Sequence, residues 1–363
     1  MKLTSPQEEF YATERLSAIE AQRLAQEIAF GPIVFQVSRL MLKFDIFQLL
    51  LDHKDGLTMK KIVEKTTLSQ YAVQILLESS LTIGTILLKK GKFFLAKAGY
   101  FLLKDVMAKV NIDFNHDVNY LGLFNLEEAL LQGTPEGLKV FGNWATIYEG
   151  LSKLPPQVQQ SWFAFDHYYS DCSFPQALEV VFQHNVNTLL DVGGNTGRFA
   201  LRCVEYDENV NVTIMDLPAQ LELMKKSIEG KTGVNRIDGF GIDFLNPHSD
   251  FPHRNVDAIW MSQFLDCFSN EEVTSILSRA KASMNEHTKL YIMETIWDRQ
   301  RFETASFCLT QISVYFTALA NGNSKMFYSE DLKECIAHAG LQIETIHDNI
   351  GLGHSIVVCK KQQ

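Results

Sequence analysis

The sequence predicts an α/β protein: a mostly parallel sheet of the nucleotide-binding kind, closed by an antiparallel C-terminal hairpin and preceded by an all-helical half with a winged-helix pattern. Three observations carry that expectation. Residues 187–197 read NTLLDVGGNTG, an apolar β-favouring run ending in a glycine-rich turn. Residues 211–216 read NVTIMD, a second apolar run that ends in an acid. Residues 341–346 and 355–359 form two further runs joined through a turn at 349–353, a link too short for anything but antiparallel pairing.

Bulk properties narrow the class. At 363 residues and 46% hydrophobic, the chain can bury more than one core, so two domains are expected. A net charge of −10 disfavours a general nucleic-acid or anionic-membrane binder. The six cysteines (Cys172, Cys203, Cys267, Cys308, Cys335 and Cys359) include no Cys-x-x-Cys pair, which suits reduced thiols and neither a zinc site nor a disulfide framework. The opening residues, MKLTSPQEEF, lack the apolar core of a secretion signal. The greasy stretch 28–51 contains Arg39, Lys43 and Asp45 and does not read as membrane-spanning. A cytoplasmic protein is the expectation.

Taken in order, residues 21–52 read as helical and apolar on more than one face, through Ile33, Val34, Phe35, Leu40, Met41, Phe44, Phe47 and Leu50. A helix greasy all round is buried on several sides, which points to a homodimer through these N-terminal helices or to a core helix of one chain. Thr58 is an N-cap for a helix over 59–65, and Ser69 for a second running to about Leu81. Residues 85–95, with Lys89-Lys90-Gly91-Lys92 at the tip, read as a hairpin, completing a winged-helix arrangement. The would-be recognition helix has no Lys or Arg and contains Glu78, so it lacks cations for phosphate and favours a structural or dimerising role. A helical middle region follows, giving expected limits of 1–110, 111–184 and 185–363.

In the last of these, the turn after Asp191 can aim backbone N–H groups and a helix N-terminus at a nucleotide-like ligand. Asp216, at the tip of the neighbouring strand, can accept hydrogen bonds from ribose hydroxyls. The dinucleotide pattern G-x-G-x-x-G does not fit, because Asn195 and Arg198 stand in its second and third glycine positions. The spacing resembles acid-x-Gly-x-Gly-x-Gly of the S-adenosylmethionine fold, with Asn195 in the middle slot; Asn tolerates a left-handed backbone best among non-glycine residues. Strands are expected at 256–261 and 289–293, the latter ending at Glu294. Between them Ser269-Asn270-Glu271-Glu272 forms a capping box before Val273, Ile276, Leu277 and Ala280.

From about Ala21 to Lys360 the chain resembles the dimeric small-molecule O-methyltransferases, plant caffeate-type and bacterial polyketide enzymes. The resemblance rests on the winged-helix half, LLDVGGNTG, TIMDLP, GIDF, DAIWMSQFLDCFSNEE and YIMETIW. It implies a Rossmann-like class I methyltransferase sheet, S-adenosylmethionine as cofactor and a small, aromatic acceptor. Gly193 and Gly194 would then line the methionine part of the cofactor, Asp216 hold the ribose and Leu217 pack the adenine, with Asp243 and Phe244 on the adenine side. FDHYYSDCS resembles the segment before the sheet, so Ser173 would touch the cofactor carboxylate and Tyr169 the acceptor. Ser262 stands where the family often has a lysine and is grouped with the cofactor side. His167, Phe264 and Met326 join Tyr169 as acceptor-side candidates; Trp144 and Phe316 are further aromatic ones. No metal is implied.

The departures lie at the catalytic centre. Where the family has His-Asp-Trp before the capping box, this chain has Asp266-Cys267-Phe268. The family histidine is the base for a phenol, and its position here is Asp266. Residues 324–328, Ser-Lys-Met-Phe-Tyr, replace a Gly-x-Glu-Arg-Thr type sequence, while Glu294 keeps its family identity. An ordinary aspartate, near a pKa of about 3.9, is a poor base for a phenol near about 10. If Asp266 and Glu294 share one apolar pocket, their like charges should raise one of them into a useful range. Asp266 and Glu294 are therefore the catalytic candidates, with another pocket group such as His167, or no base at all and reaction by proximity, as alternatives. A cofactor-binding homologue without catalysis, or a different reaction on the same scaffold, are the alternatives.

Overall fold

The computed structural model describes residues 10–252 and 256–362. The stretch read for a secretion signal lies, apart from Phe10, outside them. The described chain divides into two compact units, one up to His116 and one from Asp117 onward.

In the first unit the stretch expected as one helix is three: Ala18–Ala29, Gly31–Lys43 and Ile46–Asp52. Pro32 cannot donate to the preceding ladder and instead opens a new helix in its first turn. Asp45 adopts φ 55°, a left-handed step that redirects the chain again. Ala18–Ala29 buries no residue, and Ile19 and Ile28 stay exposed. Thr58 caps Met59–Lys65 and Ser69 caps Gln70–Ile83, each side chain accepting from the backbone three residues on. Strands β1 (Ile86–Lys89) and β2 (Lys92–Leu95) pair antiparallel. Lys90 and Gly91 both have positive φ, as a two-residue hairpin turn with the right twist requires.

The second unit is built on β3 (Thr188–Val192), β4 (Asn211–Asp216), β5 (Ile237–Gly241), β6 (Ala258–Ser262), β7 (Lys289–Glu294), β8 (Leu341–Ile350) and β9 (His354–Lys361). Their order is β5-β4-β3-β6-β7-β9-β8, parallel up to β7 and antiparallel at β9 and β8. The period of two sends alternate residues to opposite layers. In β6, Ile259 and Met261 join one apolar cluster while Ala258 and Trp260 join the other; Leu290 and Ile292 part from Tyr291 and Met293 in the same way. The helices between strands cover both faces. Trp260 lies on Phe199, ring centroids 4.3 Å apart and 17° from parallel.

The chain runs from β3 outward through β4 and β5, then crosses to β6 on the other side of β3. That reversal leaves a crevice beyond the carboxyl ends of β3 and β6, where α/β sheets take ligands. The middle region is a series of short turns followed by two longer helices, Pro156–Asp171 and Phe174–Val181.

Truncating the fully buried Trp260 to Ala should cost about 3–5 kcal/mol in denaturant unfolding. Trp260→Phe should cost clearly less, since the indole N–H has no partner to lose. Equal losses would mean that the nitrogen, not the volume, carries the stability.

Candidate active site

The glycine turn closes one side of the crevice. Gly193 has φ +71°, and a Cβ on it would overlap the Phe264 ring; a Cβ on Gly194 would come 2.8 Å from Asp191 Oδ2. Both positions therefore need bare backbone. Asn195 is left-handed at φ 50° and Gly197 at φ +79°, as the spacing required. The Asn195 N–H donates to Asp216 Oδ2 at 3.0 Å and the Leu217 N–H to Oδ1 at 2.8 Å. Asp216 is thus locked by the turn it faces, with each oxygen keeping a lone pair for a hydroxyl. Burial raises it to about 6 in spite of those two donors. Asp191 is 2% exposed, Oδ2 has no hydrogen-bond partner, and burial with the Asp216 charge raises it to about 7.

Asp216 pairs with Gly241, and the Ile242 N–H donates to the Asp216 carbonyl. Asp243 is therefore held near Asp216; its carboxylate accepts the Leu245 N–H at 3.0 Å. Phe244 is buried and meets Phe264 edge to face, centroids 4.9 Å apart. Phe264, expected on the acceptor side, thus lies over Gly193 and against Phe244.

Helix Pro156–Asp171 forms the opposite wall. Asp166, His167 and Ser170 line the crevice together with Gly193, Gly194, Ser262 and Gln263. Ser173 does not: it is fully buried, with Oγ 2.9 Å from His354 Nδ1, and His354 Nε2 lies 3.1 Å from Gln263 Oε1. Its hydroxyl is spent on a buried chain, and Ser170, one turn earlier, reaches the crevice instead. Tyr169 is half-buried on the same helix and packs with Phe165 and Tyr168. His167 stacks on Phe163, and burial pulls it down to about 4, so it is neutral. Its Nε2 sits 3.9 Å from Asp166 Oδ2, too far for a hydrogen bond.

The catalytic candidates are brought together. Glu294 is fully buried at the end of β7, and Oε1 accepts the backbone N–H groups of Phe264 (3.0 Å) and Leu265 (2.8 Å). Oε2 has no hydrogen-bond partner. Burial, then the Asp266 charge, raises Glu294 well above the carboxylate range. Asp266 is 5% exposed and raised by burial to about 6. Met326 is buried close by, its sulfur 3.1 Å from Thr295 Oγ1. Phe316 is buried against Tyr315, whereas Trp144 packs over Gly142 and Gly150 of its own loop.

Sequence reasoning missed three groups. Asp166, a quarter exposed, is raised to about 7 by burial and then by the Asp266 and Asp171 charges. Tyr148 and Tyr315 are raised by burial, with Asp266 and Cys267 among their electrostatic neighbours; the Tyr315 hydroxyl accepts from Trp162 at 2.8 Å. A carboxylate among aromatics in FDHYYSDCS was the one available signal for Asp166. Nothing local marked the tyrosines.

Comparison with known proteins agrees with this layout. Residues 123–342 match the O-methyltransferase domain family and residues 22–93 a Dimerisation2-like domain. The first match covers more than half of the chain, which therefore belongs to the O-methyltransferase domain family. O-methyltransferase pgmB of Aspergillus terreus is 26% identical over 178 residues, 48% of this chain and 40% of that protein. Norreticuline-7-O-methyltransferase of Papaver somniferum is 27% identical over 166 residues, 46% of this chain and 43% of that one. The chain thus matches less than half the length of these two curated relatives. The fold matches the apo S-adenosylmethionine-dependent methyltransferase SibL, with TM-score 0.70 and 21% identity over 93% of this chain and 98% of that one.

Asp166, Asp191, Asp216 and Asp266, at about 6 to 7, hold protons more tightly folded than unfolded, where they titrate near about 3.9. The native state then binds more protons between about pH 4 and 7, so stability falls as pH rises through that window. His167 and His354, both lowered to about 4, act in the opposite sense up to about 6.5 but are outnumbered. The ligand-free protein should melt higher at about pH 5.5 than at about pH 7.5. A higher melting point at the upper pH would mean that the crevice carboxyls are ionised in the native state.

Proposed function

We propose that this member of the O-methyltransferase family transfers a methyl group from S-adenosylmethionine to a hydroxyl of a small aromatic molecule. The observation that carries the reading is the crevice itself. Bare glycine backbone, an orphaned buried acid and a turn-locked acid converge there, and two buried carboxyls lie beside it. The fit to the cofactor can be judged residue by residue. Gly193 and Gly194 leave the room that a methionine chain needs, and Asp191 Oδ2 lacks the donor that an ammonium group would supply. Asp216 offers acceptors to ribose hydroxyls, and Leu217, Asp243 and Phe244 flank that end. Ser262 lines the crevice. When bound, the cofactor supplies an electrophilic sulfonium methyl group.

The acceptor side follows from the two carboxyls. Glu294, neutral in its apolar setting, holds the backbone of Phe264 and Leu265 and so fixes Asp266 in place. Asp266 takes the proton of the acceptor hydroxyl as its oxygen forms the new bond to the methyl carbon. At about 6 its proton affinity approaches that of an ordinary histidine, near about 6.5. Tyr169, His167 and Met326 supply flat, apolar wall, and the remainder of the barrier is lowered by alignment. NcsB1, crystallised with S-adenosylmethionine and 2-hydroxy-5-methyl naphthoic acid, has a TM-score of 0.66 and 17% identity over 90% of this chain and 95% of that chain. It supports an aromatic acceptor.

The Dimerisation2-like match and the uncovered apolar side chains Ile19, Ile28 and Ile33 support a homodimer through the N-terminal helices. Among the described residues no helix is long and apolar enough to cross a membrane, and the six cysteines are free. These, with the acidic charge, support a cytoplasmic protein without nucleic-acid or membrane partners.

Calorimetric titration with S-adenosylhomocysteine tests the reading. Micromolar binding is expected, lost in Asp216→Ala and in Gly193→Ala. No binding by folded wild-type protein would end it. Asp266→Asn should keep that binding and lower kcat about 100-fold or more. An unchanged kcat would remove Asp266 as the base.

A further inference from the structure

A chain of hydrogen-bonded side chains, buried except at its end, reaches the cofactor crevice. Ser173 and His354 are fully buried, Ser173 Oγ lies 2.9 Å from His354 Nδ1, and His354 Nε2 lies 3.1 Å from Gln263 Oε1. Gln263 is the member that reaches the crevice, beside Ser262, Gly193 and Gly194. Burial pulls His354 down to about 4, against the nearby Ile350 carbonyl, so the ring is neutral and carries one N–H. Gln263 Oε1 can only accept, which puts that proton on Nε2. Nδ1 is then an acceptor for the Ser173 hydroxyl, closer at 2.9 Å than the Tyr169 carbonyl at 3.3 Å. The polarity runs from Ser173 through His354 to Gln263. It leaves the Gln263 Nε2 hydrogens with no acceptor among the described residues.

The turn that presents Gln263 is held at both ends. Its backbone is left-handed at φ 47°, a conformation that a non-glycine residue keeps only where its surroundings impose it. The Gln263 N–H donates to the Met293 carbonyl at 2.9 Å, and its side chain is caught by His354 at the start of β9. The hairpin turn before His354 is itself seated on Ser173. A Cβ on Gly351 would come 2.6 Å from Ser173 Oγ, and the Gly351 N–H donates to Gln176 Oε1 at 2.6 Å. Register sets the neighbours at the crevice. Val192 pairs with Met261, so the glycine turn and the Ser262–Gln263 exit leave adjacent strands side by side. The orphaned Asp191 Oδ2, an acceptor suited to an ammonium, lies against Gly194 in that glycine turn.

We propose that Gln263 is a cofactor-binding residue whose amide NH2 takes the carboxylate of the S-adenosylmethionine amino-acid end, and that His354 and Ser173 are the positioning residues that aim it. This rests on the methyl-transfer reading and assigns the half of the cofactor's zwitterion that Asp191 leaves unpartnered. Arg198, the cation of the crevice wall, already pairs with Asp171, whereas the Gln263 NH2 has no other partner. Ser173, which the resemblance assigns to the carboxylate directly, then acts on it through two intervening side chains. A carboxylate there receives a charge-assisted hydrogen bond from a donor that is already oriented, so little ordering remains to be done on binding.

Calorimetry on the full chain with S-adenosylhomocysteine and with 5′-methylthioadenosine tests this. Both carry adenine, ribose and a thioether, and only the first has the amino-acid end. Gln263→Glu keeps an oxygen for His354 and puts a second oxygen where the NH2 stood. It should weaken S-adenosylhomocysteine about tenfold or more and leave 5′-methylthioadenosine within about twofold. Gln263→Met removes the amide without adding charge and should lower the affinity ratio of the two ligands in the same direction. His354→Phe should lower that ratio about threefold or more, and the double variant should lower it no further than Gln263→Met alone, because His354 acts through Gln263. A loss of structure would weaken both ligands together. Equal weakening of both, an unchanged ratio in Gln263→Met or His354→Phe, or additive losses in the double variant overturns the proposal alone. Failure of S-adenosylhomocysteine to bind the folded wild-type chain overturns the proposal and the methyl-transfer reading together.

Discussion

The site depends on one buried interaction: the Glu294 carboxyl accepting the N–H groups of Phe264 and Leu265. The chain leaves β6 through Gln263, a non-glycine residue at φ 47°, and at that turn the backbone has stopped pairing as a strand. Its N–H groups are buried and need acceptors. Glu294, at the end of the adjacent parallel strand β7, supplies one oxygen to both. That places the Phe264 ring over Gly193 and fixes the start of the next turn, Leu265–Cys267, in which Asp266 is buried. The ring over the glycine turn and the buried Asp266 are thus set by the same carboxyl. A neutral acid serves here as well as an ionised one, since either accepts, which is why its high proton affinity does not weaken the anchor.

Around this anchor the pocket accumulates acids rather than neutralising them. The Asp216 charge raises the proton affinity of Asp191, and the Asp266 charge raises that of Asp166 and of Glu294. Like charges in an apolar crevice are tolerated in two ways: by keeping protons, or by receiving a positively charged ligand. The ligand-free state takes the first course.

Local chemistry made much of this legible in the sequence. The glycine turn, the left-handed Asn195, the capping box at Ser269 and both hairpins follow from residue type and spacing over fewer than fifteen positions. The breaks in 21–52 were signalled by Gly31-Pro32 but hidden by an unbroken apolar pattern, and Asp45 gave no sign of its left-handed turn. Long-range partners were out of reach. Ser173 looks like a ligand contact until His354, 181 residues away, claims its hydroxyl. Tyr315 and Trp162 are 153 residues apart, yet their bond helps to shape the wall beside Asp266. Phe264 reads as acceptor wall because its neighbours in sequence are, but its ring goes to Gly193 and Phe244.

In the proposed reaction, Asp266 in place of the family histidine changes charge more than basicity. A histidine base begins neutral and ends as a cation, and a neighbouring carboxylate stabilises that end state. Asp266, at about 6, has nearly the same proton affinity but begins as an anion and ends neutral. A neighbouring ionised acid would oppose that starting state. Glu294 avoids the conflict by keeping its proton: burial and the Asp266 charge both raise it, so the pair holds one negative charge and not two, and in the proposed reaction that charge is free to take the acceptor's proton.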